Sequence, residues 1–426
     1  FSEFSVVASP LPTGFGMPTL TYIGREVLKL PFIRATSLGH EVLHNWWGNG
    51  VYADYAQGNW SEGLTTFMAD YFYKERESPA AAREMRLSWL RDFAAVPAGA
   101  HRPLAAFRSR THGAEAAVGY GKSAMVFLML RDAIGEDAFR RGLRLFWERH
   151  RFKLASWDDL RAAFEQAAGR PLKTFFEQWV QRAGGPTVRI AEARALIENG
   201  KNKLALTLTQ TAPTYAVTVP VEIVAGGSSQ TRHIAFDRER DIATIELAVV
   251  PEGIRLDPEL RVWRVLEREE LPPILRLWII ARAPRVTVVS PDAEVRRAAE
   301  TLAKRFFEMP ARISSPAEAA SGAEPALIVG LHRDVDAALA ELGLPPRPSM
   351  IGMRGSAQVW TVDDARSGRR TGTPVAVVSV SDAESLRELA RPLPHYGAQS
   401  YLILDGARVI ERGIWPAPGH VVRVTR

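Results

Sequence analysis

Two histidines four positions apart, His40 and His44, stand in the stretch SLGHEVLHNWWGNG, with Glu41 directly after the first. On a helix that spacing puts both imidazoles on one face, one turn apart, where they can grip a single ion. A glutamate beside the first histidine then faces a water on that ion and can take its proton. The plainer alternative is a buried helix with two hydrogen-bonded histidines. The chain has no cysteine. Disulfides and thiol catalysis are thereby excluded, and a metal must be held by His and carboxylate. A catalytic zinc takes three protein ligands and keeps a fourth position open. Downstream, NWSEGLTTFMADYFYKERE starts a second helical stretch with Glu62 near its beginning, eighteen positions after His44. The intervening GNGVYADYAQG holds the Gly and Asp needed to turn the chain back. Glu62 can then reach the ion from an antiparallel neighbour helix. A carboxylate at a helix start is also favoured by the helix dipole alone.

The elements that must position these groups follow from periodicity. Residues 1–35 read as a strand, a Gly- and Pro-containing loop and another strand, PTLTYIG. From 36 to 185 apolar residues recur at three- and four-residue spacing, as in SAMVFLMLRDAIG and WDDLRAAFEQAAG, which predicts helices. Ser156 and Asp158 are candidate caps, and Gly135, Gly169 and Gly184 candidate stops. At GGPTVRI the period drops to two. The runs KLALTLTQ, VTVPVEIVAG, TRHIAFD and IATIELAVV predict a β-sandwich over 186–266. A linker, 267–283, contains ELPPI. Over 284–426 short apolar strands (RVTVVS, PALIVG, PVAVVSV, SYLILD) alternate with helical stretches, which predicts an α/β layered domain. This last region has no Gly-rich phosphate loop and no His or carboxylate cluster, and its role is left unassigned.

HEVLHNWWGN followed by NWSEGLTTFMADY resembles the alanyl-aminopeptidase family of zinc metallopeptidases, the gluzincins with two His and a later Glu. VGYGKSAMVFLMLRDAIG resembles the segment that carries the family's catalytic tyrosine, which would be Tyr120. FFEQWVQRAGGPTV resembles the end of its catalytic domain. The four matching stretches lie in order, and the resemblance covers about Phe1 to Leu266. It implies a thermolysin-like, mostly helical catalytic domain over 1–185 followed by the β-sandwich; with the α/β domain read from periodicity, the expected fold class is α+β multidomain. It also implies one Zn2+ per chain, held by His40, His44 and Glu62. Glu41 would activate the zinc-bound water and later protonate the leaving amine. Tyr120 would donate to the oxyanion of the tetrahedral intermediate. The substrate would be a peptide, with the backbone of Gly14, Gly16 and Met17 beside it as an edge strand, because small residues allow close approach.

Three departures shape the expectation. The family places its third ligand one position further on than Glu62. In GFGMPTL, Pro18 stands where the family has the Glu that holds a substrate's free amino terminus. The family's N-terminal β-domain and its C-terminal helical superhelix are not matched, and the α/β domain stands in place of the latter. The expected function is zinc-dependent hydrolysis of peptide bonds, of the aminopeptidase type. The alternatives are a zinc hydrolase with endopeptidase-like or non-peptide specificity, or a non-catalytic binding protein on a peptidase scaffold.

Other residues have plainer readings. Trp46, Trp47 and Trp60 flank the ligands and are expected to pack. Asn45 and Asn49 are candidate supports for the ligands. His101, His112 and His395 read as isolated histidines, and Lys122 as a surface or helix-start charge. The chain has 426 residues and a net charge of +6, with basic residues scattered among acidic ones, so no nucleic-acid partner is expected. No apolar run is long enough to span a membrane, so the chain is expected to be soluble. Its compartment, cytoplasmic or periplasmic and extracytoplasmic, is left open, as is its oligomeric state. The opening FSEFSVVASPLPTGFG has no initial Met and starts on a strand-like run, so a piece of a longer protein is expected.

Overall fold

A computed structural model describes residues 3–11, 14–28, 37–109, 117–267, 270–271, 273–321, 324–362, 374–415 and 421–425. The chain divides into two compact units. One comprises Phe1–Phe93, Ala98–Val265 and Val421–Arg426; the other comprises Ala94–Pro97 and Leu266–His420. Helix and strand are mixed, as an α+β chain requires.

The first unit opens with a small sheet of β1 (Ser5–Ser9), β2 (Gly14–Met17) and β3 (Leu20–Gly24). β3 lies in the middle, parallel to β1 and antiparallel to β2. Helices follow. Ser123–Ile134 is apolar nearly all round, and every residue from Ser123 to Leu130 is buried, which makes it the central core helix. Glu136–His150 and Trp157–Ala168 are amphipathic. Ser156 caps the latter in a reciprocal box with Asp159, not with Asp158, which lies in the first turn. Gly135 and Gly169 end their helices at positive φ, +84° and +66°. Two residue pairs, β4 (Tyr52–Ala53) and β5 (Leu154–Ala155), join as a short parallel ladder.

Two antiparallel sheets complete the unit. β6 (Arg189–Glu198), β7 (Lys201–Thr209), β8 (Val217–Ala225), β9 (Ser228–Phe236), β10 (Arg240–Leu247) and β11 (Gly253–Leu256) form the orders β10-β7-β6 and β11-β8-β9. The β6–β7 turn is Asn199-Gly200 with φ of +53° and +73°, the two left-handed positions a tight hairpin needs. Alternate residues of β7 (Leu204, Leu206, Leu208) and of β8 (Val219, Val221, Ile223) are fully buried, the period-two pattern of a one-sided sheet.

The second unit is a seven-stranded sheet of β12 (Arg285–Val288), β13 (Arg312–Ile313), β14 (Ala326–Leu331), β15 (Ala357–Thr361), β16 (Val375–Val380), β17 (Tyr401–Asp405) and β18 (Arg408–Gly413). Its order is β13-β12-β14-β16-β15-β17-β18, parallel through β16 and antiparallel beyond. Helices Ala293–Phe306 and Ala383–Leu389 pack on one face, Pro316–Ser321 and His332–Glu341 on the other. Two segments lie elsewhere than the sequence suggested. The stretch expected as linker contains a helix, Arg276–Ile279, whose Trp278 is fully buried in this core and donates to the Ala326 carbonyl at 2.8 Å. A last strand, β19 (Val422–Arg423), leaves the α/β unit and pairs antiparallel with β11. Thr425 beyond it exchanges two backbone hydrogen bonds with the 193–195 segment of β6. Its Val and Thr residues suit either sheet, so pairing decides where they go.

Candidate metal centre

His40 lies in the helix Ser37–Leu43, and His44 continues the same spiral, its N–H donating to the His40 carbonyl at 3.2 Å. The rings meet edge to face with centroids 4.8 Å apart, and their Nε2 atoms are 3.2 Å apart. Glu62 comes from the first turn of the helix Trp60–Thr66, whose N-terminus is capped by the Asn59 side chain. Its Oε2 is 3.3 Å from His40 Nε2 and 3.5 Å from His44 Nε2. Among the described residues this is the group of His and carboxylate side chains whose atoms converge closely enough to hold a metal ion.

The outer ring nitrogens explain why the inner ones are free to bind. Nδ1 of His44 is 2.8 Å from the Trp47 carbonyl, which can only accept, so that nitrogen carries the hydrogen. Nδ1 of His40 is 2.7 Å from Asp70 Oδ2 and donates likewise. In the neutral form that a metal requires, each ring then turns an Nε2 lone pair inward, toward a carboxylate oxygen. Three acceptors facing one point repel unless a cation or a proton sits among them, and a two-His, one-carboxylate set suits zinc. The residues present therefore fit the metal that the sequence implied.

Asp70 had no signal in the sequence. On a regular helix, eight residues beyond Glu62 is about 80° around from its face. The helix 60–77 contains a π-helical turn at Phe67–Tyr71, which absorbs one extra residue. That brings Asp70 back to within about 20° of the Glu62 face, beside His40.

Electrostatics follow the geometry. Burial alone would push the His40 imidazole down. The hydrogen bonds and charges of Asp70 and Glu62 outweigh it and hold His40 at about 10. Burial would raise Glu62, but the two histidines hold it well below the usual carboxylate range. Without a metal the cluster thus keeps a proton, which a metal must displace. Burial pushes Glu41 up, against the lowering influence of both histidines and of a hydrogen bond from the Gly16 backbone.

These residues line a cavity of about 780 Å³. His40, Glu41, His44, Glu62, Tyr120, Gly14 and Gly16 all face it; Met17 is not among its described lining residues. Tyr120 sits on a π-helical segment, Ala117–Lys122, with its ring centroid 6.3 Å from that of His40. Phe107 holds it edge-on. Tyr55, Met85, Thr66 and Ser61 also line the cavity, and periodicity had not singled them out. Trp47 and Trp60 are buried and pack edge to face, whereas Trp46 is partly exposed. His101 stacks on Phe93. His395 lies in a helical turn of the second unit, and His112 lies outside the described residues. Lys122 is fully buried and not a surface charge. Its Nζ donates to the Arg182 carbonyl at 2.8 Å, and burial, aided by the Arg182 charge, pushes it down to about 7.

Residues 34–179 match the family model described as the peptidase family M1 domain. The tricorn protease-interacting factor F2 of Thermoplasma acidophilum is 28% identical over 173 residues, 37% of this chain and 21% of that protein. Aminopeptidase N of Escherichia coli is 32% identical over 161 residues, 36% of this chain and 18% of that protein. Human glutamyl aminopeptidase is 26% identical over 164 residues, 37% and 17% respectively. The chain thus spans about a fifth of the length of the relatives it matches. Legionella pneumophila aminopeptidase A, crystallised with aspartic acid, aligns with a TM-score of 0.47 and 18% identity over 64% of this chain and 32% of that one. No helix among the described residues is long and apolar enough to cross a membrane. Residues 34–179 of this chain are thus similar to the peptidase family M1 domain.

Proposed function

We propose that this chain is a zinc-dependent peptidase of the aminopeptidase type, with one zinc held by His40, His44 and Glu62. The observation that carries the reading is the convergence of two Nε2 lone pairs and one carboxylate oxygen beside Glu41 in a single cavity. Zinc at such a site polarises a carbonyl and lowers the pKa of water. Glu41, half-buried and with its affinity for a proton raised, takes the proton from the attacking water and passes it to the leaving amine. The Tyr120 hydroxyl donates to the oxygen on which negative charge develops. The backbone of Gly14 and Gly16 borders the peptide, and Met17 anchors the end of that strand by pairing with Leu20. Chelation tests the reading. Removing zinc should abolish cleavage of short peptides, and adding it back should restore it. A protein that carries zinc and cleaves no peptide would be a binding protein instead.

A second reading, endopeptidase-like or non-peptide specificity, is favoured by the β2–β3 turn. Pro18 occupies the position of the amine-holding Glu. The three carboxylates among the described lining residues are engaged: Glu62 and Asp70 with the histidines, and Glu41 with the Gly16 backbone.

A further inference from the structure

The β2–β3 hairpin is fastened to the metal-binding segment by side chains that immediately follow His44. Gly16 stands opposite Thr21, and its N–H donates to the Glu41 carboxylate. The Gly16 carbonyl accepts from Asn49 Nδ2 at 3.0 Å. No larger residue fits: a Cβ on Gly16 would stand 2.7 Å from the Glu41 carbonyl oxygen and 2.9 Å from His44 Cβ. One on Gly14 would stand 2.5 Å from Glu41 Oε1. At the turn, Thr19 has φ of +60°, which a β-branched residue rarely adopts. Its N–H donates to Asn45 Oδ1 at 2.6 Å, and the buried Asn45 is itself fixed by donating to the Val42 carbonyl at 2.8 Å. The hairpin is therefore held at its turn by Asn45 and at its middle by Asn49.

We propose that Asn49 is a positioning residue for Glu41, acting through the backbone of Gly16. A glutamate side chain has three rotatable bonds, and in a cavity of this size it has room to turn away from the metal. One backbone N–H aimed at its carboxylate selects the rotamer that faces the reacting water. That N–H keeps its aim only while Gly16 keeps its place. The glycine offers no side chain to hold it, so Asn49 grips its carbonyl instead. Asn45 sets the hairpin's orientation and Asn49 sets its distance from Glu41.

This inference rests on the reading of Glu41 as the proton acceptor. Asn49→Ala should keep its zinc and its melting temperature, lower kcat roughly ten- to a hundredfold, and leave KM within about twofold, because a misplaced base costs only the transition state. Asn49→Asp, of the same shape but without the donor, should fall to the same level. Amide exchange over Gly14–Met17, measured by mass spectrometry with zinc bound, should be faster in Asn49→Ala than in the parent. An unchanged kcat overturns the proposal. So does a raised KM with kcat intact, which would make Asn49 a substrate contact, or loss of zinc, which would make it a support for the ligands. If the parent cleaves no peptide, the functional reading fails by itself; the exchange measurement still decides whether Asn49 holds the strand, and unchanged exchange overturns that too.

Discussion

Asp70 Oδ2 lies 2.7 Å from Nδ1 of His40, across the ring from the Nε2 that faces Glu62. The carboxylate fixes the tautomer and makes the inner nitrogen a better donor of electrons. Asp70→Asn keeps the size and removes the charge. Zinc affinity, measured by competition with a chromogenic chelator, should fall roughly ten- to a hundredfold. Unchanged affinity would mean that the aspartate serves the helix and not the metal.

His44→Ala removes one of three converging acceptors. Metal analysis of the purified variant should show zinc well below one ion per chain. Stoichiometric zinc in that variant would take His44 off the ligand set and end the three-ligand account.

Glu41 and Tyr120 should separate metal binding from chemistry. Glu41→Gln should hold zinc as the parent does and show no measurable turnover. Tyr120→Phe deletes one hydrogen bond to a developing oxyanion, a loss that typically costs about 2.7–4 kcal/mol, or roughly a hundred- to a thousandfold in kcat. KM should change much less. An unchanged kcat in Tyr120→Phe would leave a plain zinc hydrolase with no role for that phenol.

Peptides with a free or an acetylated amino terminus should divide the two readings of specificity. The aminopeptidase reading expects a strong preference for the free amine; if nothing replaces the Glu missing at Pro18, the two should be cleaved at similar kcat/KM. A strong preference for the free amine would show that a carboxylate outside the described lining holds it.

Asp257 gives a pH dependence of stability. It is fully buried, and burial pushes it up to about 6, against the pull of the Arg264 charge and two backbone N–H donors. In the unfolded chain an aspartate titrates near 3.9. Between about 4 and 6 the folded state therefore holds more protons than the unfolded one. This residue's contribution to stability thus falls as pH rises through that window and levels off above it, a change of at most about 3 kcal/mol. Relative to the parent, Asp257→Asn should melt progressively higher as pH goes from 4 to 7. The opposite trend would mean that the ion pair with Arg264 outweighs burial.

The sequence made the candidate metal centre legible because its parts are local. A four-residue spacing puts His40 and His44 on one face, and a capped helix start presents Glu62. The loop between them closes on glycines with positive φ, Gly48 and Gly58. Strand and helix periods likewise announced the helical region and the alternating strands of β7 and β8. Asp70 was not legible, because its place depends on one extra residue in a π turn, which leaves no mark in composition. Lys122 looked like a surface charge because a lone lysine carries no sign of its burial; only the fold supplies the carbonyl that accepts from it. Asn49 reads in the sequence as a support for a ligand, yet its bond is to the backbone of a residue 33 positions away. Long-range pairing of that kind is decided by the closed fold alone.

The return of the chain to β11 and β6 has a consequence for dissection. Residues 266–420 are inserted between two lengths of chain that both belong to the first unit, so they are joined to it at both ends. A stop codon placed in the 267–283 segment would remove β19 together with the α/β unit and strip the open edges of β11 and β6 of their partner. An internal excision joining 265 to 421 would keep the strand and shorten the loop to be closed, a change that entropy favours only weakly. A single protease nick within 266–420 would leave the halves associated under native conditions and separable in denaturant, the behaviour of a split protein ready to be reassembled from two separately made fragments.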